Sequence, residues 1–364
     1  MKLIYCSYSA IPSKTANSIA VMKQCAALAR KNALTVILIQ GKLPGKYDKL
    51  YGVPKMNVIL LPSFMLWFNE LGLRLYVTLY ALMHKDSIVY SRDVFINSTL
   101  CRFRVPNYYE IHQLRHQRLN NFNKRFQKSL NIIARSTFTR KIICISNKLK
   151  NECVSIGIPK DKLNVLHSGV DLSDSLSKNA QIEIPLFDKT QPVAIYAGSL
   201  QRGKGIDTIV AMAHLASNYN FLIVGGEKGD IHELVNLRHI PFVSHPNVMK
   251  LLESADFLLL PMEDNDCQYH SPLKLFEYLA AGKVLIASDI DDIREIIVNE
   301  QNGMLAEPSN PHSFIEKMET VSSDMELRSR IEENAIKTAN NFSWEHRSES
   351  ILKIIKQDFE YEKY

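Results

Sequence analysis

The sequence predicts an α/β protein with two parallel-sheet domains, on three observations. Short apolar runs alternate with amphipathic stretches over most of the 364 residues, as in strands joined by crossover helices. The alternation lapses between Gly169 and Gln191 into Asp, Ser, Lys, Asn and Pro, a linker composition. The charge changes sign across that gap. Residues 1–180 hold 27 Lys/Arg against 9 Asp/Glu, and residues 181–364 hold 17 against 29. A chain of this length is also long for a single core.

The elements follow in order. Residues 3–7 read as the first strand, and Asn17 as the cap of a helix running to about Arg30. Residues 34–40 and 57–61 are strands, 70–84 a helix and 87–91 a strand. Residues 107–111 form another strand, followed by a long basic helix over 120–138. A strand at 141–146, a helix at 147–155 and a short strand at 164–167 close the first domain. Beyond the linker, strands at 193–197, 221–224, 257–260 and 284–287 alternate with helices at 205–217, 245–253 and 271–282. From about Pro311 the chain reads as helical, and Trp344 anchors its last segment. The expected domains are 1–172, 173–341 and a terminal helix over 342–364 that packs back on the first domain.

The totals exclude several classes. Composition is 46% apolar and 23% charged, that of a globular protein. No apolar run spans a membrane without polar interruption, and Met1 leads directly into a strand, not a signal peptide. Six cysteines without a C-x-x-C pair or Cys/His ligand spacing read as reduced core thiols, hence a cytoplasmic protein. Window 101–150 carries 12 Lys/Arg with only Glu110 opposing them, a field suited to an anionic membrane surface or a phosphorylated acceptor. No aromatic-and-basic motif supports a nucleic-acid partner.

In open α/β sheets ligands bind beyond the carboxyl ends of strands, so residues just after strands are the candidates. After the strand at 193–197 comes Gly198-Ser199-Leu200-Gln201-Arg202-Gly203-Lys204-Gly205. Its glycines allow close backbone approach, and Arg202 and Lys204 place two cations at a helix entrance, a diphosphate clamp. It is neither a Walker A loop nor a G-x-G-x-x-G fingerprint. Further on, Ser271-Pro272-Leu273-Lys274-Leu275-Phe276-Glu277 opens an apolar helix that Gly282 ends. Its N-terminus can take a phosphate while the single carboxylate, Glu277, takes sugar hydroxyls.

Together these motifs resemble the family 4 glycosyltransferases, which are GT-B fold, retaining and nucleotide-sugar dependent. The resemblance runs through 198–207, Phe221-Leu222-Ile223-Val224-Gly225-Gly226, residues 255–261 and 271–282, and Asn302-Gly303. The segment 143–172 resembles the part of the family that joins its domains, and Phe342-Ser343-Trp344 also matches. The resemblance implies two Rossmann-like domains facing across a cleft. It implies that Glu277 binds the nucleotide ribose and that Lys204, assisted by Arg202, binds the donor diphosphate. Gly198, Ser199, Gly225, Tyr269, Ser271, Pro272, Leu273 and Lys274 complete the implied donor site. His112, just past a strand, resembles the histidine that faces the donor sugar. Thr15, Ala16 and Asn17 occupy the implied acceptor-side loop.

Two positions depart from the family pattern: Tyr269 stands where the first Glu of Glu-x7-Glu is expected, and Ser199 where an Arg is common. Lys274 can supply charge near the diphosphate, and Asp264 or Asp266 can replace the carboxylate. Of the two Asp-x-Asp strings, Asp289-Ile290-Asp291 reads as a helix cap rather than a cation site. The expectation is therefore a metal-free enzyme with no cofactor. The apolar stretches 64–68 and 71–83, with the basic segment 115–128, fit either a peripheral membrane patch or burial against the first sheet. A lipid-linked or glycan acceptor, envelope polysaccharide assembly and partners in an assembly complex follow from the resemblance. A non-catalytic nucleotide-sugar-binding scaffold and a GT-B sugar-nucleotide epimerase are the alternatives.

Overall fold

The computed structural model describes residues 2–361, apart from 10, 14, 40–46, 61–68, 115–119, 173–181, 183–190, 228 and 264–272. The chain divides into two units, Met1–Gly169 with Trp344–Tyr364, and Val170–Ser343. The last helix belongs to the first unit.

Unit 1 is built on strands β1 (Lys2–Ser7), β2 (Val36–Ile39), β3 (Val58–Leu60), β4 (Ser87–Ser91), β5 (Asn107–Ile111), β6 (Thr139–Cys144) and β7 (Leu163–Val165). They pair in the order β3-β2-β1-β4-β5-β6-β7, and every pairing is parallel. The helices are α1 (Ala16–Lys31), α2 (Tyr47–Tyr51), α3 (Asn69–Met83), α4 (Val94–Arg102), α5 (Asn120–Arg135), α6 (Asn147–Ser155) and α13 (Trp344–Tyr361). Alternate residues of β1 explain the layering. Leu3 and Tyr5 join a core with residues of α1 and α13, while Ile4 and Cys6 join another with residues of α3 and α4. A strand buried on both faces must be apolar throughout, which is why it reads as a run rather than an alternation.

Unit 2 contains β8 (Val193–Ala197), β9 (Asn220–Val224), β10 (Leu237–Ile240), β11 (Phe257–Leu260), β12 (Val284–Ser288) and β13 (Met304–Ala306). The order is β10-β9-β8-β11-β12-β13, again parallel. Its helices are α7 (Ile206–Leu215), α8 (His245–Glu253), α9 (Leu273–Ala280), α10 (Asp291–Arg294), α11 (Pro311–Ser323) and α12 (Met325–Asn340). In both sheets the order reverses beside the first strand, between β1 and β4 and between β8 and β11. Ligand crevices form at such switch points.

Several local expectations are corrected. Thr15, not Asn17, caps α1, since its side chain accepts from Ser18 N; the Asn17 amide instead donates to Ser9 Oγ at 2.9 Å. Asp289 and Asp291 do not cap α10, whose N-cap is Ile290; both carboxylates pair with Arg294, at 2.5 and 3.1 Å. Elements α2, α4, β10 and β13 have no counterpart in the sequence reading. Three are five residues or fewer, too short for periodicity to show, and α4 is buried nearly all round. Helix α3 buries one face and exposes the other. Leu73, Val77 and Ala81 are buried, while Leu71, Leu75, Leu79, Leu82 and Met83 stay exposed.

Candidate functional site

In unit 2 several of the candidate side chains gather at the carboxyl end of β8. Gly205 is the N-cap of α7 in the left-handed region, φ +73°. A Cβ there would lie 1.6 Å from Pro261 O at the end of β11, so only glycine lets the 198–205 loop close over the switch point. A Cβ on Gly198 would meet Lys274 Nζ at 2.4 Å, so the lysine occupies the space that glycine leaves. A Cβ on Gly225, after β9, would lie 2.0 Å from the Gly198 carbonyl oxygen.

Lys274 sits in the first turn of α9. Its Nζ donates to Tyr196 Oη at 2.8 Å and lies 4.0 Å from that ring's centroid. Tyr196 Oη in turn donates to Ser199 O at 2.7 Å, which ties the lysine to the loop backbone. Burial, with Lys204 adding repulsion and Glu277 partly offsetting it, pushes the Lys274 ammonium down to about 7. Burial also lowers Lys204. Among the described residues neither lysine has a carboxylate within ion-pair distance. Two adjacent, partly desolvated cations are costly unless an anion joins them. Arg202 is exposed at the tip of the loop.

Glu277 follows Lys274 by three residues, hence on the same side of the helix. Its Oε1 lies 2.8 Å from His245 Nε2, at the start of α8. Helix α9 is held in register by Tyr278, whose buried hydroxyl accepts from Ala197 N at 2.7 Å and lies 3.2 Å from Ala197 O. His245 was not read as a site residue. Its signal, Ser-His-Pro at a helix start, says nothing about a carboxylate 32 positions away. Leu273 opens α9, whereas Tyr269, Ser271, Pro272, Asp264 and Asp266 lie outside the described residues.

In unit 1, His112 follows β5 and belongs to a buried polar chain. Its Nε2 lies 2.6 Å from Glu110 Oε1, and Arg92 Nη2 lies 3.1 Å from its Nδ1. An arginine only donates, so Nδ1 accepts and Nε2–H donates, and the ring is neutral. Burial and the Arg92 charge push His112 down to about 4. Burial alone would raise Glu110, but Arg347, 3.2 Å away, and His112 hold its carboxyl well below the usual range. Tyr90 also donates to Glu110. Arg347 reaches this chain from α13 and donates to Gln24 Oε1 at 2.5 Å and His167 O at 2.7 Å. Neither Arg92 nor Arg347 was singled out from the sequence.

Arg92 and His112 line a cavity of about 480 Å³ with Ser7, Ser9, Asn17 and Tyr109. It lies at the carboxyl ends of β1, β4 and β5. Thr15 and Ala16 begin α1, and Asn17 alone of that predicted trio lines the cavity.

Two family profiles match in tandem. One described as Glycosyltransferase Family 4 covers residues 20–174, and one described as Glycosyl transferases group 1 covers residues 177–338. The chain is a family 4 glycosyltransferase. A glycosyltransferase of Methanocaldococcus jannaschii, named as uncharacterized, is 26% identical over 353 residues, 88% of each chain. The N,N'-diacetylbacillosaminyl-diphospho-undecaprenol alpha-1,3-N-acetylgalactosaminyltransferase of Campylobacter jejuni is 25% identical over 225 residues, 60% of this glycosyltransferase and 56% of that relative. Among solved structures, Anabaena HepE in complex with UDP aligns with a TM-score of 0.73 at 15% identity, covering 98% and 100% of the two chains. Its complex with UDP-glucose gives 0.69 at 16%, covering 98% and 100%. The two parallel-sheet units of the glycosyltransferase are thus of the GT-B class. No described helix is long and apolar enough to cross a membrane.

Proposed function

We propose that the glycosyltransferase is a retaining, metal-independent hexosyltransferase that moves a sugar from a UDP-sugar to a lipid-linked glycan acceptor in envelope polysaccharide biosynthesis. The observation that carries the donor half is the pair Lys204 and Lys274. Two partly desolvated cations that meet no carboxylate among the described residues, at the end of β8, with Glu277 one turn along α9, match a nucleoside diphosphate. In this reading Lys204, Lys274 and Arg202 hold the diphosphate and Glu277 accepts from the ribose hydroxyls. Gly198, Ser199, Gly225 and Leu273 lie beside it, and Tyr269, Ser271 and Pro272, outside the described residues, are assigned to the same donor site. The UDP complexes of Anabaena HepE favour uridine, and the undecaprenol-linked substrate in the Campylobacter relative's name favours a lipid diphosphate acceptor.

The acceptor hydroxyl attacks the anomeric carbon as the sugar–phosphate bond breaks, and its proton passes to the departing phosphate on the same face. UDP leaves. The lysines stabilise charge developing on that phosphate. His112 is neutral with both ring nitrogens engaged, so it orients groups in unit 1 and takes no proton. Thr15, Ala16 and Asn17 border the acceptor side. The exposed leucines of α3 and the exposed Lys124, Arg125 and Lys128 of α5 support docking of this cytoplasmic enzyme on an anionic membrane surface, beside the partners of an assembly complex.

The test is transfer of radiolabel from UDP-sugars into extractable lipid-linked glycan. Glu277→Ala and Lys204→Ala should each lower kcat/KM about 100-fold or more, and EDTA should change nothing. Activity lost to EDTA and restored by Mg²⁺ would overturn the metal-free reading. UDP-sugar binding without turnover on any acceptor would leave the scaffold role instead.

A further inference from the structure

We propose that the cavity beside His112 is an oxyanion site in which Arg92 binds a carboxylate or phosphate group carried by the sugar substrate. Arg92 follows β4 at the switch point of the first sheet and is half-buried. A guanidinium has five N–H donors, and the hydrogen bond recorded for this one runs to His112 Nδ1. No carboxylate pairs with it among the described residues. The acids nearby are committed elsewhere. Glu110 is held by Arg347, Tyr90 and His112. Asp93 lines the cavity, but its Oδ1 caps α4 by accepting from Phe95 N at 2.9 Å and Ile96 N at 2.8 Å.

The surroundings fix the guanidinium rather than neutralise it. His112 Nδ1 accepts from Arg92 and its Nε2–H donates to Glu110, so the neutral ring orients the fork without adding charge. Ser7, Ser9 and Asn17 add neutral hydroxyls and an amide to a lining that also takes in Tyr109, Gln113 and Phe126. Ser7 Oγ and Ser9 Oγ are 2.9 Å apart, and Asn17 Nδ2 donates to Ser9 Oγ. A pre-oriented planar fork recognises an oxyanion through two parallel hydrogen bonds. A neutral hexose would leave that charge unmatched.

That the anion belongs to a sugar substrate rests on the transferase reading; the site itself does not. The test titrates the full chain with glucuronate, glucose 6-phosphate and glucose at constant ionic strength, followed by thermal shift. Saturating UDP is present throughout, so that the unit 2 site is filled. Wild type should show a saturable rise with at least one anionic sugar and none with glucose. Arg92→Gln should weaken that binding at least tenfold, Arg92→Lys should weaken it less, and Arg102→Gln, on the exposed face of α4, should leave it unchanged. A response to glucuronate alone assigns an acidic sugar, and one to glucose 6-phosphate alone assigns a phosphorylated acceptor. No saturable response to either anion, or wild-type binding in Arg92→Gln, overturns the proposal. If Arg92→Gln does not fold, Arg92→Lys decides: it keeps the charge and loses the fork, so an unchanged Kd refutes the site. UDP binding, read separately, tests the transferase reading by itself.

Discussion

Raising the pH through neutrality should weaken binding of a UDP-sugar, because in the proposed donor site Lys274 must be charged to hold the diphosphate. In the free protein burial and Lys204 bring Lys274 down to about 7. A bound diphosphate supplies the missing counter-charge and raises the group again, so binding takes up a proton. Below pH 7 the ammonium is already present and affinity is at its plateau. Above pH 7 a proton must be acquired on binding, and affinity falls up to tenfold per pH unit until the pKa of the complex is reached. Between pH 6 and pH 8 the charged fraction drops from roughly nine-tenths to one-tenth, a loss of about tenfold or ~1.4 kcal/mol. Isothermal titration with UDP-glucose, whose diphosphate does not titrate in this range, measures the slope. Buffers of different ionisation enthalpy count the proton taken up. Lys274→Met should bind more weakly with a flat profile, and His245→Gln should keep the wild-type slope. A flat wild-type profile, or an unchanged slope in Lys274→Met, would refute the reasoning.

Arg347→Met strips the counter-charge from buried Glu110 and should cost ~3–5 kcal/mol of stability by denaturant unfolding. The double variant with Glu110→Gln should recover part of it, and a loss under about 1 kcal/mol would show that the pair is not structural. His245→Ala should raise the Kd for UDP about fivefold by releasing Glu277, with partial recovery in His245→Gln; unchanged affinity in both would separate His245 from the donor site. Gly205→Ala places a Cβ on Pro261 O at a left-handed residue. It should lower Tm and abolish UDP binding together, at a cost of roughly 2 kcal/mol or more; retained UDP affinity would mean that the loop closes another way.

Much of this glycosyltransferase was legible in its chain. Strands such as Val193–Ala197 and Phe257–Leu260 and helices such as His245–Glu253 stand where the sequence puts them, because their hydrophobic period is imposed by backbone geometry a few residues long. The loop 198–205 announced itself through glycines whose spacing a close approach requires, and Glu277 through a lone carboxylate on an apolar helix. What the sequence could not show is which distant group each buried charge meets. Gln24 and Arg347 are 323 positions apart and His245 and Glu277 32; Arg92 and His112 read as unrelated loop residues until β4 and β5 lie side by side. Local periodicity chooses strand or helix at each position. Only the assembled sheets decide the partners, because a charge taken out of water must be matched by whatever the fold brings beside it.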